Sequence, residues 1–275
     1  MEYVVPTQVL ADTISLSEKK ASLSVGKMVI RGFMSGALLA FATALAFKGM
    51  AGLPENVAAI VGFALFPVGF AILTIFSLEL ATGSFGIFPI GLAERRITWK
   101  AALKNLVIVY LANFVGAMFF GVLFALVLTE FFNQGAGPVG DKIIAVAQAK
   151  TLVYEHAGAA GWATALIKGV LCNWMVAMGS ILALTSKSIP GKIMAIWLPI
   201  GMFFALGFEH CIVNMFIIPS GIILGGGLSV SDWLVWNQIP VTIGNLIGGG
   251  LLAGLFFYWS YRERPELAAH PADAL

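Results

Sequence analysis

Gly207-Phe208-Glu209-His210-Cys211-Ile212-Val213-Asn214 sits in the middle of an apolar run, residues 193–231, that is 39 residues long and has Glu209 as its only charge. One bilayer crossing takes roughly 20 apolar residues. The run is too long for one plain helix and barely enough for two with a turn. Residues 56–93 have the same character, being 38 residues long with Glu79 as their only charge. Residues 32–47, 105–129, 169–186 and 233–261 each suit a single helix.

Loop charge decides whether each long run is one interrupted crossing or two, because Lys and Arg collect on the cytoplasmic side. Six crossings place Lys19, Lys20, Lys27, Arg31, Arg95, Arg96, Lys100, Lys104, Lys187, Lys192, Arg262 and Arg264 inside and Lys48, Lys142, Lys150 and Lys168 outside, 12 against 4. Splitting both long runs moves six of the inside residues outward, Arg95, Arg96, Lys100, Lys104, Lys187 and Lys192, and erases the bias. The expected fold is therefore an all-α membrane protein with six transmembrane helices, spans two and five broken, and both termini cytoplasmic. Its expected parts are an amino-terminal segment (residues 1–26), a six-span domain (27–262) and a cytoplasmic tail (263–275).

Composition excludes the rival classes. Of 275 residues, 59% are apolar and 11% charged, and the mean hydropathy is +0.93; a soluble surface needs about a quarter of its residues charged. The net charge of +2 is spread thinly, whereas a nucleic-acid partner would want a clustered basic face. Cys172 and Cys211 lie inside apolar runs and read as buried free thiols, not a metal pair. Residues 1–26 hold Glu2, Asp12, Glu18, Lys19 and Lys20 with no early apolar core, so no cleavable leader is expected. Pro6 can open a helix there, and Val9, Leu10, Ile14 and Leu16 interleave with the charges. That pattern suits an amphipathic helix on the membrane surface, serving as an anchor or as a lid over the inner mouth.

The halves of the chain echo each other. Ile30-Arg31-Gly32 opens span one and Ile167-Lys168-Gly169 opens span four, an offset of 137. Glu79 and Glu209 break spans two and five at an offset of 130, and Asn113-Phe114-Val115-Gly116 and Asn245-Leu246-Ile247-Gly248 lie in spans three and six at an offset of 132. Three spans per repeat is an odd number, so the second copy is inverted across the membrane. Inverted repeats with one discontinuous helix each bring the two breaks together near the midplane. Irregular backbone at that depth is buried in protein or lines a cavity, so a permeation path is expected. The first break is placed at Glu79–Ser84, with Gly83 and Gly86 available for positive φ, and the second at Gly207–Asn214, ended by Pro219 and Gly221. Small residues at Gly32/Gly36, Gly244/Gly248 and Gly250/Gly254 suit close helix packing.

Glu79, Glu209 and His210 are the ionisable groups deep in the spans, and such groups are functional candidates by default. Each carboxylate is expected to accept N–H bonds from its own broken loop and hold it in shape. His210 sits on a break and is expected in the pore. Asn173 and Asn245 are neutral amides able to donate to an anion, or to bond one helix to another. Lys150 and Lys168 bracket the outer end of span four, where they can draw anions in or snorkel to the interface.

Gly207-Phe208-Glu209-His210 followed by Val213-Asn214-Met215-Phe216-Ile217-Ile218-Pro219 resembles the formate/nitrite transporter family. So do Asn237-Gln238-Ile239-Pro240-Val241-Thr242-Ile243-Gly244-Asn245, Cys172-Asn173-Trp174-Met175-Val176 and Arg96-Ile97-Thr98-Trp99. The resemblance spans about residues 5–262. It implies an aquaporin-like protomer in the lipid of a bacterial inner membrane, assembled as a homopentamer with one pore per protomer and no cofactor. The implied permeants are small monovalent anions or their conjugate acids: formate, nitrite, hydrosulfide, lactate or bicarbonate. It further implies His210 as the central pore histidine, Thr82 facing it, and Asn173 and Asn245 as pore-lining amides. Phe66, Phe70 and Phe203 fall at the implied outer constriction, Leu80, Ala81 and Val176 at the inner one, and Lys150 at the vestibule. Ala81 stands where a bulkier residue is common, which implies a wider inner slit, and residues 151–163 add length before span four.

Two other classes are weighed against this reading. An intramembrane hydrolase would want a second histidine four residues after His210, where Asn214 stands, or a Gly-x-Ser-x-Gly elbow. A neutral-solute channel would carry paired Asn-Pro-Ala signatures, which the chain lacks.

Overall fold

The structure, a computed structural model, describes residues 3–262. Glu2, Arg264 and the rest of the tail 263–275 lie outside the described residues. In chain order the helices are α1 (Pro6–Ala21), α2 (Val25–Met50), α3 (Glu55–Leu65), α4 (Pro67–Ile75), α5 (Ala81–Ala93), α6 (Trp99–Leu128), α7 (Gly137–Ala149), α8 (Leu152–His156), α9 (Gly158–Leu182), α10 (Ile189–Ala205), α11 (Cys211–Ile223) and α12 (Val230–Tyr261). Among the described residues, five segments are long and apolar enough to cross a bilayer: α2, α3 with α4, α6, α9 and α12. The expected fifth crossing consists of two shorter apolar helices, α10 and α11.

Both breaks begin with the same helix terminator. At the end of α4, Leu78 N–H donates to Leu73 O (2.9 Å) and Ser77 N–H to Thr74 O (3.0 Å); at the end of α10, Phe208 N–H donates to Phe203 O (3.1 Å) and Gly207 N–H to Phe204 O (3.1 Å). This is the paired carbonyl capping that requires a left-handed residue just past the helix. Ser77 takes it at φ 51° and Gly207 at φ 65°. The irregular backbone is thus residues 76–80 and 206–210. That corrects the expected first break: Gly83 and Gly86 lie inside α5. They are small for packing, since a Cβ on Gly86 would press on Ala177. It also corrects the end of the second, because α11 runs through Pro219 and Gly221 to Ile223.

Close packing of helix backbones sets the rest. A Cβ on Gly36 would overlap the Asn113 carbonyl, and one on Gly116 the Phe33 carbonyl, so α2 and α6 touch backbone to backbone. In the other half, Gly244 and Gly248 meet the Leu166 and Val170 carbonyls in the same way, joining α12 to α9. Gly254 packs on the Gly86 carbonyl, whereas at Gly250 the nearest atoms are 3.6 Å from a Cβ, an ordinary contact. Ahead of Pro240, residues Leu234–Gln238 of α12 widen into a π-helical turn, and Gly248–Leu255 do so again. The first of these turns falls just before Pro240, which has no N–H to give to the helix.

Helix α1 is docked against the body. Its buried face is Val9, Leu10, Thr13, Ser17 and Lys20, and a Cβ on Gly91 of α5 would strike Ser17. The equivalent pair in the second half is Ala147 of α7 against Gly221 of α11. α1 therefore stands to the first repeat as α7 stands to the second.

Candidate functional site

Each break is held by one asparagine. Asn113 Oδ1 accepts from Ala81 N–H (3.0 Å), and its Nδ2 donates to Glu79 O (2.9 Å) and Gly32 O (2.8 Å). Asn245 Oδ1 accepts from Cys211 N–H (2.9 Å), and its Nδ2 donates to Glu209 O (2.9 Å) and Gly169 O (2.8 Å). An amide has an acceptor and two donors. It therefore satisfies one loop N–H and two carbonyls at once, which an acceptor-only carboxylate cannot do. The expectation that Glu79 and Glu209 take their loops' N–H groups is corrected on this ground.

The carboxylates instead meet side chains. Glu79 Oε1 accepts from Lys20 Nζ (3.1 Å), while Asn105 Nδ2 stands 3.5 Å from Oε2 and donates to Lys20 O (2.9 Å). Glu209 Oε2 accepts from Lys150 Nζ (2.8 Å), Asn214 Nδ2 (2.7 Å) and Asn237 Nδ2 (3.2 Å), and Oε1 from Tyr154 Oη (2.7 Å). Asn237 also donates to Lys150 O (2.9 Å). Lys20/Lys150 and Asn105/Asn237 recur at offsets of 130 and 132. The offset already in hand from Glu79/Glu209 and Asn113/Asn245 was the signal that finds them. Nothing in the sequence singles out Tyr154.

His210 caps α11. Its Nδ1 accepts from Val213 N–H at 3.1 Å. In the neutral ring Nε2 then carries the hydrogen, and Nε2 lies 3.0 Å from Thr82 Oγ1, so Nε2–H donates to Thr82. This one contact joins the two breaks, since Thr82 is the second residue of α5. Asn173 Nδ2 donates to Thr82 O (3.1 Å) and to Asn245 O (2.7 Å). Asn173 thus fastens Thr82 to the asparagine that holds the other break; its own Oδ1 is buried and unpartnered.

The rings beside His210 are Phe203, stacked on it at 5.7 Å and 19°, and Phe66, edge-on to Phe203 at 5.6 Å. Phe66 stacks in turn on Phe204 at 4.1 Å. Phe70, implied at the same constriction, lines a different space. A cavity of about 490 Å³ contains Phe70, Leu80 and Gly83 in its wall, with Lys19, Lys20, Arg31 and Lys192 around it. Those four cations are among the residues that the charge count assigns to the cytoplasmic side. Leu80 faces it, while Ala81 and Val176 are fully buried and outside its lining. On the other side, Lys168 Nζ lies 5.7 Å from the centre of the Tyr154 ring, so Lys150 and Lys168 flank Tyr154. Lys150, with 14% of its side chain exposed, is the one bonded to Glu209. Both cysteines are buried free thiols.

Two broken helices meeting through a buried histidine, with aromatic rings on one side and a basic vestibule on the other, define a polytopic membrane protein built around a narrow solute path. The family model described as formate/nitrite transporter matches residues 7–259. A probable formate transporter of Methanothermobacter thermautotrophicus is 37% identical over 90% of this chain and 93% of its own. A formate channel of Bacillus thuringiensis is 33% identical over 96% and 98%. A solved pentameric formate channel with formate bound superposes with a TM-score of 0.70 at 25% identity over 86% of this chain and 97% of that one. A second solved structure, an ion channel of the same family, reaches a TM-score of 0.78 at 23% identity over 92% and 99%, and speaks for the fold. The chain belongs to the formate/nitrite transporter family.

Proposed function

We propose that the chain forms a homopentamer in which each protomer passes formate, or nitrite as a near equivalent, across the bacterial inner (plasma) membrane, with both termini cytoplasmic. The observation that carries the reading is the His210 Nε2–Thr82 Oγ1 contact at 3.0 Å, buried between the breaks. An anion in so dry a passage loses several kcal/mol of hydration, so it must find a donor or gain a proton. His210 supplies the donor: Nδ1 is committed to the Val213 N–H, leaving Nε2–H aimed at the path, where an anion's oxygen replaces the Thr82 hydroxyl. Held by the Nε2–H hydrogen bond, the anion takes its proton from water that enters with it, which makes the permeant neutral for the next apolar ring, while the imidazole stays neutral because Nδ1 is committed to the Val213 N–H. The basic vestibule concentrates anions. The role of Glu79 and Glu209 in this reading is to hold the breaks in shape through their lysines.

The relatives named above are formate channels and transporters, which favours formate over bicarbonate, hydrosulfide, lactate or a neutral solute such as glycerol. Proteoliposome uptake compared across formate, nitrite, bicarbonate, hydrosulfide, lactate and glycerol tests it. Formate or nitrite is expected to move fastest, with proton uptake in step. Glycerol passing while formate does not would overturn the reading.

A further inference from the structure

We propose that Ser84, Asn105 and Glu79 enclose a binding site for one water molecule, which does in the first half of the protein what the Asn214 amide does in the second. The halves share a frame, and within it Asn214 corresponds to Ser84 at the 130-residue offset of Glu209 from Glu79. Asn214 Nδ2 spends its two hydrogens on Glu209 Oε2 (2.7 Å) and Asn237 Oδ1 (2.8 Å). The corresponding acceptors in the first half are Glu79 Oε2 and Asn105 Oδ1. Ser84 carries no amide to serve them.

The polar atoms left over match a water molecule. Ser84 Oγ and Asn105 Oδ1 are buried without a hydrogen-bond partner, and both residues are 0% exposed. Glu79 has two side-chain donors, one of them at 3.5 Å, where Glu209 has four. Buried polar groups of this kind are held by ordered water with two to four partners. A water donates one hydrogen to Glu79 Oε2 and one to Asn105 Oδ1, the two bonds Asn214 makes, and accepts from the Ser84 hydroxyl. All three groups are then satisfied. Serine is shorter than asparagine by the outer atoms of the amide, and one water occupies about 30 Å³. A cation is disfavoured, because Lys20 Nζ already sits 3.1 Å from the same carboxylate. The Lys20–Glu79 pair is thus completed by an exchangeable molecule and the Lys150–Glu209 pair by a covalent one.

A density map of the purified protein at about 2 Å or better, a range in which ordered waters are seen, tests the site directly. A peak within hydrogen-bond distance of Ser84 Oγ, Asn105 Oδ1 and Glu79 Oε2 is expected. No peak, with the Ser84 hydroxyl turned onto a helix carbonyl, overturns the proposal. The variant Ser84→Asn supplies the two donors itself, so the peak should vanish and the thermal midpoint rise by about 2–4 °C, while Ser84→Ala should lower it. Failure of Ser84→Asn to assemble beside a normally assembled Ser84→Ala would show that the space is absent and would equally overturn the proposal.

Discussion

The two breaks share one frame and differ in what is hung on it. In each, a helix ends on a left-handed residue, an asparagine from the third span of the repeat holds the loop, and a lysine from a peripheral helix meets the loop's glutamate. The first break then presents Leu80 where the second presents His210, Gly36 where the second has Asn173, and Ser84 where the second has Asn214. Glu79 has two side-chain donors and Glu209 four. What repeats is architecture, since both loops need the same backbone groups satisfied. What does not repeat marks the place of the chemistry, and it gathers on the His210 side.

The largest expected effect breaks the comparison at the carboxylates. Glu209→Gln sets an NH2 group among four donors and should destabilise the protein by about 3–5 kcal/mol, the cost of unpairing a buried charge. Glu79→Gln, with fewer donors to disappoint, should cost about 1–3 kcal/mol. Melting of the detergent-solubilised oligomer measures both, and equal losses would mean that the extra donors on Glu209 contribute nothing.

The asparagines test the opposite half of the comparison. Asn113→Ala and Asn245→Ala each strip three buried hydrogen bonds and should cost about 2–4 kcal/mol apiece, with closely similar midpoints. A large inequality would show that the shared frame is not shared energetically. Deleting residues 1–20 removes Lys20 from Glu79 as well as the buried face of α1. The expected result is poor oligomer yield, as for any structural member of a repeat. Intact oligomers with raised or ungated flux at acidic pH would instead make α1 a lid. The smallest effect is Ser77→Gly, which copies Gly207. Serine at φ 51° bears a left-handed strain of about 1 kcal/mol, so the variant should melt slightly higher; a lower midpoint would show that the serine side chain is used.

Much of this was legible from charge and spacing alone. Two runs of twice the span length, each with one glutamate, identify the breaks, and lysine and arginine counts favour one interrupted crossing over two in each run. The 130-residue offset pairs Glu79 with Glu209. Helix ends were misplaced because glycine was read for its conformational freedom, while Gly83 and Gly86 serve close packing and Ser77 takes the left-handed turn. Asn173 and Asn245 read as amides able to donate to an anion or to bond one helix to another, and Asn245, like Asn113, is spent on loop and helix backbone, a use that depends on which carbonyls point at it. Tyr154 belongs to the added stretch 151–163, and only the folded chain shows its hydroxyl reaching Glu209. Helix α1 read as amphipathic and surface-bound for a sound reason, but the burial of Lys20 against a carboxylate that lies 59 residues away is a tertiary fact.

The central claim is that the repeated frame holds the path and His210 brings to it the hydrogen-bond donor on which proton-linked passage depends. His210→Asn separates the two, because an asparagine oxygen still caps the Val213 N–H while Nε2–H is lost from Thr82. Formate uptake and the accompanying proton movement, measured in proteoliposomes across pH 5–8, are the direct test. The account predicts an oligomer that assembles and melts as the wild type does, with proton-linked uptake lost or its pH dependence flattened. Wild-type pH dependence persisting in His210→Asn would contradict it.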